Sequence, residues 1–346
     1  MEFLKSIAAQ FYRIGVVFRN WLYDMKILRG KTQSIPIVCV GNIAVGGTGK
    51  TPTVEFLVKH LMKDYTVAVL SRGYGRRTKG FREVGTSDSY LAVGDEPKQI
   101  KRKFPEVTVV VCEDRNEGVE RLQAEHPEVN LVIMDDGFQH RSLIPKVNIV
   151  LSDYSLPPDD NRMLPAGTLR DTPSQFYRAN LFLITKTPEG MSAIERNIAQ
   201  KALHPFPYQT IYFTDMVQGE PSPIFSDTAA PRIAEKATVI ALAGIANPTP
   251  FVEALKRRYE VVETILFPDH HKYRVNDVER ILQQALLHGP STMIVTTEKD
   301  GVKLTSRKRI PEELQKRLYA MSVELNFRDG DVDDFVAKLK SEINNR

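Results

Sequence analysis

The stretch VCVGNIAVGGTGKTP at residues 38–52 constrains this chain more than any other. It joins an apolar, β-branched run to a helical pattern through Gly46, Gly47, Thr48, Gly49, Lys50 and Thr51, the strand–loop–helix context that a phosphate-binding loop requires. Glycines let successive backbone N–H groups turn towards phosphate oxygens, and the start of the following helix adds free donors and positive dipole. Lys50 is expected to reach the β- and γ-phosphates of a nucleotide, and Thr51 to bind Mg²⁺. Ala44 stands where the leading glycine of such loops is expected, but that position only opens the loop and a small side chain serves there. Pro52 falls in the first helical turn, where a missing N–H costs little.

From residue 36 to about 200, short apolar runs (PIVCVG, YTVAVLS, VTVVVCE, NLVIMDD, VNIVLSD, LFLITK) alternate with helical or loop segments. Continuous apolar runs joined by crossovers predict an α/β fold with a mostly parallel sheet covered on both faces. At 346 residues the chain exceeds one typical core of roughly 100–200 residues, so two domains are expected. Prolines cluster at 204–231 around two short strand-like pieces, which marks the boundary. The expected division is an N-terminal helix at 1–30, a P-loop domain at 31–205, a linker at 206–230 and a smaller α/β domain at 231–346. Within the first domain, PPDDNRMLPAGTLRDTPS (157–174) reads as a long loop, either functional or mobile.

A phosphate-binding loop needs acids at the end of a nearby strand, and NLVIMDDGFQH supplies Asp135 and Asp136. One of them is expected to hold Mg²⁺ and the other to position a nucleophile or a second metal. LAVGDEPKQ places Asp95 and Glu96 between a glycine and a proline, which fits either a helix cap or a functional carboxylate. Arg72, in LSRGYGRR, follows another strand and is read as a phosphate contact or a solvated arginine. LFPDHHKY carries Asp269, His270 and His271. Neighbouring histidines point in opposite directions, so one histidine coupled to a carboxylate is the better functional reading, beside a plain loop histidine.

Composition excludes more than it selects. Charged residues are 26 % and hydrophobic ones 42 %, ordinary values for a soluble globular protein. A net charge of +4 without a long Lys/Arg block gives no reason to expect nucleic acid. Cys39 and Cys112 lie inside apolar runs and read as buried strand residues, not as a disulfide or metal pair. No apolar run reaches the roughly 18–20 residues of a membrane span and no signal-peptide pattern is present, so a cytoplasmic setting is expected. The first thirty residues repeat Phe3, Leu4, Ile7, Phe11, Ile14, Phe18, Trp21, Leu22 and Met25 at helical spacing, with Lys5, Arg13, Arg19, Lys26 and Arg29 among them. Such a helix either packs on a core or lies in a membrane interface.

Taken in order, VGNIAVGGTGKTP, LSRGYG, VGDEP, DDGFQH, LPAGTLRD, GIANPTPF, FPDHH and TEKDGVKL resemble the tetraacyldisaccharide 4′-kinase family, over about residues 38 to 304. The resemblance implies two α/β/α sandwich domains, the first P-loop NTPase-like, joined by a short two-stranded linker. It implies ATP- and Mg²⁺-dependent phosphorylation of the 4′-hydroxyl of a tetraacylated, 1-phosphorylated glucosamine disaccharide in lipid A biosynthesis. It implies peripheral attachment to the cytoplasmic face of the inner membrane, with the N-terminal helix in the interface and no obligate protein partner. On the matching motifs, Lys50 and Thr51 take the P-loop roles, Asp135 and Asp136 the metal-binding acids, and Asp95 with His270 a general-base dyad. Arg72, Arg115 and Arg170 are implied substrate-phosphate contacts. Arg76 and Arg77 stand where small residues are commoner in the family, and threonine replaces a frequent proline in AGTLRD. A cytosolic P-loop kinase or ATPase with a soluble acceptor is the alternative. A GTPase is disfavoured because LITKTP (183–188) lacks the Asn-Lys-x-Asp pattern of a guanine site.

Overall fold

All six apolar runs of the first half become strands whose residues are almost entirely buried, because the sheet they form is covered on both faces. The computed structural model describes residues 2–158, 161–225, 233–306 and 310–345. Its strands are β1 (Lys31–Thr32), β2 (Ile37–Asn42), β3 (Val67–Ser71), β4 (Arg82–Glu83), β5 (Thr108–Val111), β6 (Leu131–Asp135), β7 (Leu143–Ile144), β8 (Val147–Asp153) and β9 (Leu181–Thr185), followed by β10 (Thr210–Pro223), β11 (Thr238–Ala243), β12 (Glu260–Leu266), β13 (Met293–Thr297) and β14 (Leu318–Phe327). β1 and β7 form a small parallel pair. The other twelve form one sheet in the order β12-β11-β13-β14-β10-β9-β8-β2-β6-β3-β5-β4.

Two pairings in that sheet are antiparallel: the edge pair β4–β5, and β10–β14 where the two lobes meet. β10 starts parallel to β9 at residues 210–213 and then leaves it to pair with β14 from Thr214↔Phe327 to Pro223↔Tyr319. β14 is parallel to β13, and β13 to β11. The second lobe therefore runs opposite to the first, and the carboxyl ends of both sets of strands face one cleft. In open α/β sheets, ligands bind at such ends.

The linker differs from the sequence expectation. Residues 210–223 form one 14-residue strand with a register shift between Gln218 and Pro221, not two short pieces. The second strand of the connection is β14, about a hundred residues further along, and pairing at that distance leaves no local sequence signal. Residues 226–230 of the expected linker lie outside the described residues, as do 159–160 of the long loop.

The last helix, Val332–Asn344, also departs from the expected division at 231–346. Its buried Phe335, Leu339 and Ile343 join the first-lobe core of Val38, Val54, Leu57 and Ile133. The Phe335 ring lies 6.0 Å from Phe56 and 4.8 Å from Phe327. The chain thus returns to the first lobe after completing the second.

The N-terminal helix, Glu2–Asp24, lies against the opposite face of the first lobe. It is held by buried Ala9 and by Asn20, whose Nδ2 donates to Asp171 Oδ1 at 2.8 Å. Arg19 donates to the Gln139 carbonyl at 2.8 Å. Its large apolar side chains point away: Phe3 is 76 % exposed, Phe11 72 % and Ile14 64 %. Core packing therefore does not explain the apolar stripe. Cys39 and Cys112 are buried and unpaired.

Candidate functional site

The glycine-rich loop leaves the carboxyl end of β2 and enters the helix Lys50–Leu61. Gly49 caps that helix at φ +90°, a left-handed conformation, and among the described residues no side chain makes an N-cap hydrogen bond there. The donors are left for a ligand. The loop is braced from three sides. Asn42 Nδ2 donates to Thr48 Oγ1 at 2.7 Å, Thr185 Oγ1 donates to the Thr48 carbonyl at 3.1 Å, and Val45 N donates to the Thr168 carbonyl at 2.8 Å. The last contact, with Arg170 N on the Ile43 carbonyl at 2.8 Å, shows what the long loop does: it backs the phosphate loop.

Asp135 ends β6 and Asp136 follows it at φ +50°. Asp135 is 2 % exposed. Its Oδ2 accepts from Ser71 Oγ at 3.3 Å, and its Oδ1 has no hydrogen-bond partner among the described residues. Burial, together with the carboxylates of Glu96 and Asp136, pushes the Asp135 carboxyl well above its ordinary value. Burial opposes charge on Asp136 as well, but Arg170, donating to both carboxylate oxygens, and Lys50, at 3.9 Å, outweigh it and hold that carboxyl low. Glu96 is pushed up by burial and by Asp95.

The structure brings together the two residues that the sequence offered from separate lobes. Asp95 opens the helix Asp95–Lys103 and is buried, and its Oδ1 accepts from Glu96 N at 3.1 Å. His270, at φ +57° in the turn after β12, places Nδ1 3.2 Å from Asp95 Oδ2. Burial works against charge on Asp95, but the His270 hydrogen bond and the ammonium groups of Lys299 and Lys303 outweigh it and hold its carboxyl below the ordinary value. His271 points the other way, with Nε2 3.0 Å from Asp277 Oδ2 and its ring stacked on Phe267. The cross-lobe position is fixed by packing of the helices Asp95–Lys103 and Glu298–Thr305. Lys103 bridges Glu55 at 2.6 Å and Glu298 at 3.3 Å, and Tyr90 N donates to Ser306 Oγ at 3.3 Å.

The three arginines separate. Arg170 donates to Asp136 and to Asn42 Oδ1. Arg115 is 3 % exposed and donates to the Cys112 carbonyl at 2.7 Å. Arg72 is exposed and has no hydrogen-bond or ion-pair partner among the described residues. Arg76 is tied to Glu113 at 2.7 Å. Sequence reasoning gave no role to Asn42, Ser71 or Lys299. Each ends or follows a strand at its carboxyl end, and that is the signal that could have found them.

A family model described as tetraacyldisaccharide-1-P 4′-kinase matches residues 1–344. A tetraacyldisaccharide 4′-kinase of Porphyromonas gingivalis is 38 % identical over an alignment of 352 residues that spans 100 % of this chain and 98 % of the relative. One from Parabacteroides distasonis is 39 % identical over 91 % of this chain and 88 % of its own. Among solved structures, LpxK from Aquifex aeolicus in complex with ATP is similar at a TM-score of 0.75 and 29 % identity, over 97 % of both chains.

The phosphate loop yields a direct test. A Cβ on Gly49 would lie 2.1 Å from Met216 Cε at a φ that L-residues resist. With about 1–2 kcal/mol of backbone strain, Gly49→Ala is expected to weaken ATP binding roughly tenfold, as measured by calorimetric titration.

Proposed function

The chain belongs to the tetraacyldisaccharide-1-P 4′-kinase family, and from that premise we propose how its two lobes perform the transfer. It is an ATP-using kinase that phosphorylates the 4′-hydroxyl of a tetraacylated glucosamine disaccharide 1-phosphate in lipid A biosynthesis. The observation that carries the proposed mechanism is the Asp95–His270 contact, which lies with the phosphate loop and the strand-end acids at the cleft between lobes.

In this mechanism the glycine-rich loop, the start of its helix and Lys50 bind the triphosphate. Arg72 faces the acceptor's phosphate. Asp95 takes the proton of the 4′-hydroxyl as its oxygen bonds to the γ-phosphorus and the bond to the β-phosphate oxygen breaks, leaving ADP. His270 orients Asp95, and because the two sit on different lobes, the base is complete only when the lobes are together. The buried, unpartnered Oδ1 of Asp135 and the raised proton affinity of that carboxyl suit a divalent cation. Mg²⁺ needs only one or two protein carboxylates beside nucleotide phosphates, so Asp135, Asp136 and Thr51 are the residues that would hold it. It would neutralise charge on the transferring phosphates.

The acceptor's acyl chains favour work at a lipid surface. Among the described residues no helix is long and apolar enough to cross a membrane. The outward Phe3, Phe11, Ile14, Phe18 and Trp21 and the exposed Lys5, Lys26 and Arg29 suit an interfacial position beside anionic headgroups, on the cytoplasmic face of the inner membrane. Between this helix and the long loop lies a cavity of about 560 Å³ with a mixed lining, apolar at Val17, Met163 and Leu169 and polar or basic at Gln10, Arg13 and Arg162.

Two experiments follow. With radiolabelled ATP and lipid extract, label should enter the lipid phase; label confined to a soluble product would favour the soluble-acceptor reading. In the same assay Asp95→Ala should lower kcat by ~10²–10⁴ with ATP affinity nearly intact, and near-normal turnover would remove Asp95 as the base. For the helix, Phe18→Ala with Trp21→Ala should weaken sedimentation with anionic phospholipid vesicles by roughly tenfold or more, since each buried aromatic contributes about 1.5–3 kcal/mol. Unchanged partitioning and activity would refute the membrane role.

A further inference from the structure

Both ring nitrogens of His270 have partners. Nδ1 faces Asp95 Oδ2 at 3.2 Å, and Nε2 lies 3.4 Å from Lys299 Nζ and 3.7 Å from Asp269 Oδ2. An ammonium group has three donors and no acceptor, so it bonds a ring nitrogen only where that nitrogen offers a lone pair. A neutral ring that accepts from Lys299 at Nε2 carries its proton on Nδ1, pointing at Asp95. We propose that Lys299 is a positioning residue for the phosphoryl transfer: its ammonium, donating to His270 Nε2, fixes the neutral Nδ1–H tautomer and aims that proton at the Asp95 carboxylate. The proposal rests on the reading of Asp95 as general base.

Three further features support it. Lys299 lies in the first turn of the helix Glu298–Thr305, the wrong end of the dipole for a cation, so helix stability alone does not explain it. That turn is locked. Thr297 Oγ1 accepts from Asp300 N at 3.1 Å, and wholly buried Asp300 accepts from Gly244 N at 2.8 Å and bridges Lys303 at 3.1 Å. Lys299 Nζ is also tethered to Asp269 Oδ1 at 3.4 Å and lies 3.9 Å from Asp95 Oδ2, so one ammonium touches all three members of the cluster.

The groups facing the imidazole are Asp95 from the helix Asp95–Lys103, Lys299 from the helix Glu298–Thr305, Asp269 on its own turn, and the Tyr74 ring at 5.7 Å from the segment after β3. The Asp95 hydrogen bond raises the proton affinity of the ring, while partial burial and Lys299 oppose it. Removing Lys299 therefore makes the imidazolium easier to form and leaves the tautomer of the neutral ring unspecified.

The test is ¹⁵N NMR of full-length protein labelled at histidine, with His270→Asn to assign the ring, beside steady-state kinetics. Wild type should show His270 protonated at Nδ1 and bare at Nε2 above its titration midpoint. Lys299→Met should mix the tautomers and raise the midpoint by about 1 pH unit. It should also lower kcat roughly 10–100-fold with little change in the KM for ATP, and Lys299→Arg should restore part of the loss. A wild-type ring protonated at Nε2 overturns the proposal, and this arm stands even where the Met variant fails to fold. An unchanged tautomer and midpoint in Lys299→Met, or altered spectra with unchanged kcat, also overturn it. Failure of the underlying reading looks different: Asp95→Ala would then turn over normally whatever the His270 spectra show.

Discussion

The antiparallel ladder between β10 and β14 is the constraint on which the site depends. Eight of the other ten strands in the large sheet pair only in parallel with their neighbours, and a sheet continued in parallel across the lobes would put the second lobe's carboxyl ends beside those of the first, along one edge. Reversing direction at β10–β14 turns the second lobe over. The turn after β12, which carries His270, and the helix after β13, which carries Lys299, then face Asp95 and the phosphate loop. The last helix reinforces this by packing Phe335 and Leu339 into the first lobe after the chain has left the second.

Within the cleft, charge is arranged in two groups of different character. At the phosphate loop, Asp135, Asp136 and Glu96 crowd one another, and of these it is at Asp136 that the nearby cations, Arg170 and Lys50, outweigh burial. That arrangement is unfavourable by itself and becomes favourable when positive charge arrives with the nucleotide. At the lobe junction, Asp95 is already held ionised by His270, Lys299 and Lys303. A carboxylate that stays charged near neutrality is a ready proton acceptor, although its low proton affinity limits how strongly it pulls. Proximity to the acceptor hydroxyl must supply the rest.

Local chemistry was legible in the sequence and long-range pairing was not. Strand, glycine loop and helix at 38–52 follow from residue type and spacing, as do the buried strands ending at Asp135 and Asp153. The opposed directions of His270 and His271 followed from backbone geometry alone. By contrast, nothing within 204–231 shows that its strand pairs with residues 318–327, and nothing in 332–344 shows which lobe that helix covers. Arginines were the hardest to read. Arg170, Arg115 and Arg72 are equivalent in sequence, yet one pairs with Asp136, one is buried and donates to a backbone carbonyl, and one is exposed. Only burial and partner choice separate them, and neither is written locally. Similarly, the apolar stripe of the first helix fitted a core or a surface equally well until its packing through Ala9 and Asn20 showed the other face outward.

The most direct measurement of whether the two lobes build one base is a double-mutant cycle on lipid phosphorylation with Asp95→Ala, His270→Ala and the pair. If His270 acts through Asp95, the double variant should be no slower than Asp95→Ala alone, a strong departure from additivity. Losses that multiply independently would mean that the two residues do not act as a unit and that their contact across the cleft is incidental to the transfer.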